Sequence, residues 1–167
     1  MILSRNEILK LVKSKKIAIT PFKEENIGPA SIDLTLGKEF RVYKKKSKID
    51  MNENTDYKDY TEQIVTDSIT LKPNEFILGI SEERIKLPDN ICGTLCGRSR
   101  FARLGLIIHA TASFIQPGID NKQVFEIKNL SENDIILHAG TRISQLSLEQ
   151  MKGKAKYNGS YKNQVKP

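Results

Sequence analysis

Beyond its first helix-like run the chain is interrupted repeatedly by turn chemistry: Gly28-Pro29, Gly37, Lys72-Pro73-Asn74, Leu87-Pro88-Asp89, Pro117-Gly118 and Ala139-Gly140. Between the interruptions lie short runs with strand character: Ile17–Thr20, Ser31–Leu36, Glu39–Tyr43, Ser68–Leu71, Phe76–Ser81, Ile91–Cys96, Val124–Ile127, Ile135–His138 and Arg142–Leu148. Long helices do not survive such punctuation, whereas short antiparallel strands depend on it. The pattern predicts an all-β architecture, either a sandwich, a jelly roll or a distorted barrel.

Three segments depart from it. Ser4 followed by Glu7 reads as a capping box before an amphipathic run with Ile8, Leu11 and Val12 on one face, so a short helix is expected to end near Ser14 to Lys16. Residues 44–66 are polar and weakly periodic, which reads as a surface loop or ragged hairpin. Residues 152–167 carry Tyr157, Tyr161 and Gln164 among glycines and lysines, and read either as a frayed end or as a lid that orders over an anionic ligand. With 167 residues the whole, 1–167, is read as one domain able to bury a core without metal or disulfide staples.

A net charge of +7 raises the question of nucleic acid, because lysine-rich surfaces bind phosphate backbones. The lysines are dispersed, however, over Lys13 to Lys16, Lys44 to Lys48 and Lys152 to Lys166, and no recognition-helix, zinc-finger or aromatic RNA-binding signature accompanies them. No specific nucleic-acid partner is expected. No apolar run approaches the roughly 20 residues that cross a bilayer, and the start, MILSRNEILKLVKSKK, lacks the apolar core of a secretory signal. No membrane partner is expected, and the expected location is cytoplasmic.

Polar chemistry concentrates between Gly97 and Asn129, where three arginines, two serines, a histidine and a glutamate sit among apolar runs. Arg98, Ser99 and Arg100 stand at the mouth of a turn that enters a short helix expected over 101–104, and guanidinium forks beside a hydroxyl suit a phosphate. Glu126 lies between Phe125 and Ile127, so either it or its neighbours face the interior. In a closed pocket, desolvation would raise its pKa toward that of a general base. Cys92, Cys96 and His109 have a spacing like that of a zinc finger, but His138 follows far too late to be the fourth ligand, and coincidence on strands is the better account.

Arg98-Ser99, Arg103-Leu104-Gly105-Leu106, His109-Ala110-Thr111-Ala112, Pro117-Gly118 and Glu126 with Asn129 resemble the dCTP deaminase branch of the dCTP deaminase and dUTPase superfamily. The opening Met1-Ile2-Leu3-Ser4, Pro29 to Gly37, Gly140 to Leu146 and the tail from Tyr157 to Gln164 are similar to the same family. The resemblance implies a distorted jelly-roll or β-clip-like barrel of the dUTPase type, with a short N-terminal helix and one short internal helix. It further implies a homotrimer with active sites between subunits, and a nucleotide triphosphate bound with magnesium.

By that resemblance Glu126 is the proton shuttle of a zinc-independent hydrolytic deamination of dCTP to dUTP and ammonia, in pyrimidine deoxynucleotide metabolism. Ser99 and the backbone at Ala112 hold the attacking water, and Arg103 supplies positive charge. Arg98, Ser99, Arg100 and Arg103 contact substrate, His109 and Thr111 shape the pocket, and Tyr157, Tyr161 and Gln164 belong to the closing tail. No protein side chain is expected to hold metal; magnesium is held by the triphosphate. Three departures stand out. Arg100 replaces a serine, and the tail is short with Ser160 where a lysine often precedes the second tyrosine. The third is Gln116, where relatives that hydrolyse dUTP usually carry an aspartate. An amide can hold a water but cannot take its proton as a carboxylate does. Three readings therefore stay open: a deaminase that stops at dUTP, a dUTP diphosphatase or bifunctional enzyme, and a catalytically silent nucleotide-binding or basic nucleic-acid-binding protein.

Overall fold

A computed structural model describes residues 1–44 and 48–167; part of the Lys44 to Lys48 lysine run therefore lies outside the described residues. In chain order the main elements are α1 (Arg5–Lys13), β1 (Ala18–Thr20), β2 (Ile32–Tyr43), β3 (Thr61–Val65), β4 (Ser68–Leu71), β5 (Phe76–Lys86), β6 (Ile91–Gly97), α2 (Ser99–Ala102), β7 (Leu106–Ile107), β8 (Phe114–Ile115), β9 (Asp120–Asn129), β10 (Ile135–His138) and β11 (Arg142–Gln150). The protein is mostly β, as the turn punctuation predicts.

The strands form one curled antiparallel sheet in the order β7-β9-β5-β2-β11-β6-β8, with β1 added to β5 and β3 to β2, while β10 and β4 form a separate ribbon. Its centre is β2. Ile32 to Thr35 pair with β11, and Leu36 to Val42 pair with β5, so one strand passes from one half of the sheet to the other. The predicted break at Gly37 is absent for a packing reason. A Cβ there would lie 3.0 Å from the Ile80 carbonyl oxygen, so glycine serves a close strand crossing and the chain continues. The inner face carries Leu34, Leu36, Phe40, Phe125, Ile127, Leu146 and Leu148, all at 0% exposure. Burial of each is worth about 1.5–3 kcal/mol.

Several local expectations need correction. Ser4 occupies the N-cap of α1 but its side chain makes no capping bond; the entry is held instead by the Arg5 amide donating to the Pro29 carbonyl (2.8 Å). The helix closes as expected: Lys15 turns left-handed at φ 56°, and the Lys15 and Lys16 amides donate back to Val12 and Leu11. Within 44–66 the hairpin alternative is the one formed, since β3 pairs with β2 from Glu39–Val65 to Tyr43–Thr61. Strands β5, β9 and β11 run on past their predicted ends, and α2 begins at Ser99, two residues early.

Candidate active site

The longest correction, in β9, builds the site. Its alternation runs from Asp120 to Asn129, with Asn121, Gln123, Phe125, Ile127 and Asn129 buried and the intervening side chains turned the other way. Phe125 and Ile127 take the core, so Glu126 and Val124 face a cavity of about 350 Å³. Asn129 fixes the end of the strand. Fully buried, it donates to the Leu71 (2.9 Å) and Asn133 (2.7 Å) carbonyls and accepts from the Ser131 amide (2.8 Å).

The backbone after β7 wraps the Glu126 carboxylate. One oxygen accepts from the amides of Ala110 (2.9 Å) and Thr111 (2.6 Å), and the other accepts from the Ala112 amide at 3.3 Å. The Thr111 hydroxyl lies 3.0 Å from both oxygens. Successive amides aimed at one anion form a nest. The expected rise in pKa is accordingly overturned. Burial pushes the carboxyl up, but the Thr111 amide, the charge of His109, the Thr111 hydroxyl and the Ala110 amide together hold it below the usual carboxylate value. Glu126 is thus ionised at neutral pH.

His109 lines the same cavity, and neither of its buried ring nitrogens has a hydrogen-bond partner among the described residues. An unpartnered buried polar group costs about 1–3 kcal/mol, a penalty that a ligand donor or acceptor would relieve. Ala112, Gln116, Tyr157, Tyr161 and Gln164 complete the predicted lining, so the tail is docked over the cavity. Gly118 permits this: at φ 77° it sits beneath the tail, where a Cβ would come 2.7 Å from Lys156 Cγ. The Tyr157 amide donates to the Pro117 carbonyl (3.0 Å).

The arginine segment lies elsewhere. None of Arg98, Ser99, Arg100 and Arg103 lines this cavity. Arg98 pairs with Asp33 (3.1 Å) and donates to the Arg142 carbonyl (2.8 Å), while Arg142 also approaches Asp33 at 3.7 Å. Arg98, expected to contact substrate, is thus engaged in a salt bridge with Asp33. Ser99, Arg100 and Arg103 are exposed around α2. Cys92 and Cys96 both lie on β6, the first buried and the second exposed. Among the described residues no three His, Cys, Asp or Glu side chains group as a metal site.

Tyr57, Asn121, Lys122 and Gln123 also line the cavity and were not predicted. Tyr57 comes from the segment read as a surface loop or ragged hairpin. The two amides carried a legible signal, because polar side chains at Asn121 and Gln123 continue the buried phase of Phe125 and Ile127.

A curled antiparallel sheet that holds a carboxylate in a tail-covered cavity defines a mostly-β protein whose candidate site lies between its sheet and its own tail. Residues 2–151 match the model of the family described as dCTP deaminase-like. The chain is 35% identical to the "dCTP deaminase, dUMP-forming" of Methanobrevibacter smithii, over 99% of this chain and 92% of that one. It is 39% identical to the protein of the same description from Nanoarchaeum equitans, over 89% and 83% respectively. Among solved structures, the 2'-deoxycytidine 5'-triphosphate deaminase of Agrobacterium tumefaciens superposes with a TM-score of 0.69 at 21% identity, covering 88% of this chain and 48% of that chain. The chain belongs to the dCTP deaminase-like family.

Proposed function

We propose that the protein hydrolyses the exocyclic amine of dCTP and carries the product on to dUMP, with Glu126 as the proton shuttle. The observation that carries this reading is the Glu126 carboxylate, which faces the cavity and is wrapped by the amides of Ala110 to Ala112, in a chain whose relatives bear the dUMP-forming name. Water bound against Glu126 loses a proton to it as oxygen bonds to C4 of the base. That proton passes to N3 of the ring; the new hydroxyl then gives up its own proton, again by way of Glu126, to the amine, and the C4–N bond breaks to leave C4=O and release ammonia. For the water to enter, the Ala110–Ala112 amides must share Glu126 with it. Tyr157 and Tyr161 offer faces for a planar ring, and the unpartnered His109 offers a hydrogen bond.

A second reading rests on Gln116, which lines the cavity and cannot deprotonate a water. On that reading phosphate cleavage fails and dUTP accumulates, as the sequence alone led us to expect. The names of the relatives favour dUMP.

Magnesium would travel with the triphosphate, held by phosphate oxygens and waters, where it would neutralise charge. A homotrimer accounts for the separation of α2 from the cavity: Ser99, Arg100 and Arg103 of one subunit would reach the cavity of the next. Arg98, tied to Asp33, would then hold that loop in place and leave direct phosphate contact to its neighbours.

Incubation with dCTP and magnesium, followed by separation of dCTP, dUTP and dUMP and assays for ammonia and pyrophosphate, tests both readings. Ammonia with dUMP and pyrophosphate is expected. Ammonia with accumulating dUTP establishes the second reading, and no ammonia overturns both.

A further inference from the structure

Strand β7 pairs with β9 only at Leu106–Asn129 and Ile107–Lys128, which leaves the other half of that β9 edge open. The tail fills it. The amides of Asp120 and Lys122 donate to the carbonyls of Lys162 (3.0 Å) and Gln164 (2.9 Å), so tail and strand run side by side in the same direction. A third bond comes from a side chain: Asn121 Nδ2 donates to the Tyr161 carbonyl at 2.7 Å.

Asn121 is 8% exposed and Gln123 4% exposed, on the buried strand face that also carries Phe125, Ile127 and Asn129. Burying an amide there is unfavourable unless its donors and acceptors are paired. Gln123 Nε2 donates to Asn121 Oδ1 at 2.7 Å, which turns the Asn121 amino group toward the tail. The Gln123 backbone amide donates to Ser81 Oγ (2.9 Å), and that hydroxyl donates to the Glu83 carbonyl (2.7 Å). Ser81 and Glu83 lie in the irregularity of β5 where its pairing with β9 skips between Ile80 and Arg84. A continuous buried polar chain therefore runs from the bend in β5 to the tail, and its outer end is the Tyr161 carbonyl.

We propose that Asn121, oriented by Gln123, is a positioning residue that seats the tail over the Glu126 cavity. Fixing the Tyr161 carbonyl places Tyr161 and Gln164 at the cavity wall. Asn121 acts through the tail and takes no part in proton transfer. For its kinetic readout the inference rests on the dCTP reading above; its proteolytic readout does not.

The test combines Asn121→Ala with removal of residues 160–167, singly and together, in the otherwise intact protein. Trypsin cleavage after Lys162 without nucleotide is expected to quicken about tenfold in the full-length Asn121→Ala variant, the equivalent of one lost hydrogen bond. Its KM for dCTP is expected to rise by a similar factor with kcat unchanged. In the truncated chain Asn121→Ala should change KM no further, because the group it holds is gone. An equal loss in both backgrounds, or unchanged tail protection, overturns the proposal. Asn121→Ser, small and polar, takes the place of the alanine variant if that does not fold. If the wild-type protein releases no ammonia, the functional reading fails while cleavage after Lys162 still decides the role of Asn121.

Discussion

Glu126→Gln preserves the size of the side chain and removes the charge that the amides of Ala110, Thr111 and Ala112 surround. The amides at 2.9 and 2.6 Å can still reach one oxygen, but as neutral bonds. A hydrogen bond to a charged group is worth about 1.5–3 kcal/mol and a neutral one about 0.5–1.5, so the two bonds together forfeit about 2–3 kcal/mol before solvent screening. The glutamine NH2 also faces the Ala112 amide, donor against donor, at the 3.3 Å position. Because the site is half-exposed, solvent reduces the total to about 1–2 kcal/mol, a fall in Tm of about 2–8 °C for a chain of this size. Deamination should fall by about 10² to 10⁴, the range a positioned acid/base supplies. Nucleotide binding followed by calorimetry should be largely kept. The sign of the pH dependence is fixed by the depressed pKa. The wild-type advantage is fully present above the unfolded carboxyl pKa, about 4.3, and is lost as pH falls through the lower folded value. Thermal melts from pH 3 to 8 should show a constant gap down to about pH 4.5 that closes below it. Normal ammonia release by the variant, or a gap that shrinks as pH rises toward neutrality, would refute the reasoning.

Other expectations concern groups outside the cavity. Glu83 is 2% exposed and accepts from the Thr35 amide (2.9 Å) and hydroxyl (2.7 Å), yet burial outweighs these bonds and raises its pKa. Its stabilising effect is full below the unfolded carboxyl pKa and is lost as pH rises through the folded value, so Glu83→Gln should gain on wild type between pH 4 and 8 in urea unfolding. Arg98→Ala and Asp33→Ala should each cost about 1–2 kcal/mol and couple by about 1 kcal/mol in a double-mutant cycle, because the pair is partly buried. Equal and additive losses would mean the pair is not energetically joined. Zinc chelation should leave ammonia release unchanged, and a strong loss would return Cys92, Cys96 and His109 to consideration.

Most elements were legible because turn residues carry local information. Lys72-Pro73-Asn74 and Pro117-Gly118 mark turns wherever the chain goes, and Asn74 and Gly118 do adopt positive φ. Gly37 misled because a glycine needed for a close strand crossing looks the same in sequence as one needed for a turn. For Glu126 the alternation left two faces open, and only the apolar neighbours in the fold decide between them. The depressed pKa was hidden altogether, since it arises from backbone amides at 110–112 whose direction no side-chain pattern encodes. The arginines misled through proximity in sequence. Arg98 and Glu126 share one polar stretch, but β7, β8 and the turn at Pro117-Gly118 intervene, and Asp33 from β2 claims Arg98 instead.

The tail along β9 also bears on how the protein behaves at high concentration. An open strand edge is a template for another chain's backbone, and proteins shield such edges to avoid aggregation. Here the shield is the segment whose carbonyls take the Asp120 and Lys122 amides. An opening of the tail would bare those amides. On the proposed function, solubility and turnover would then depend on the same short stretch of chain.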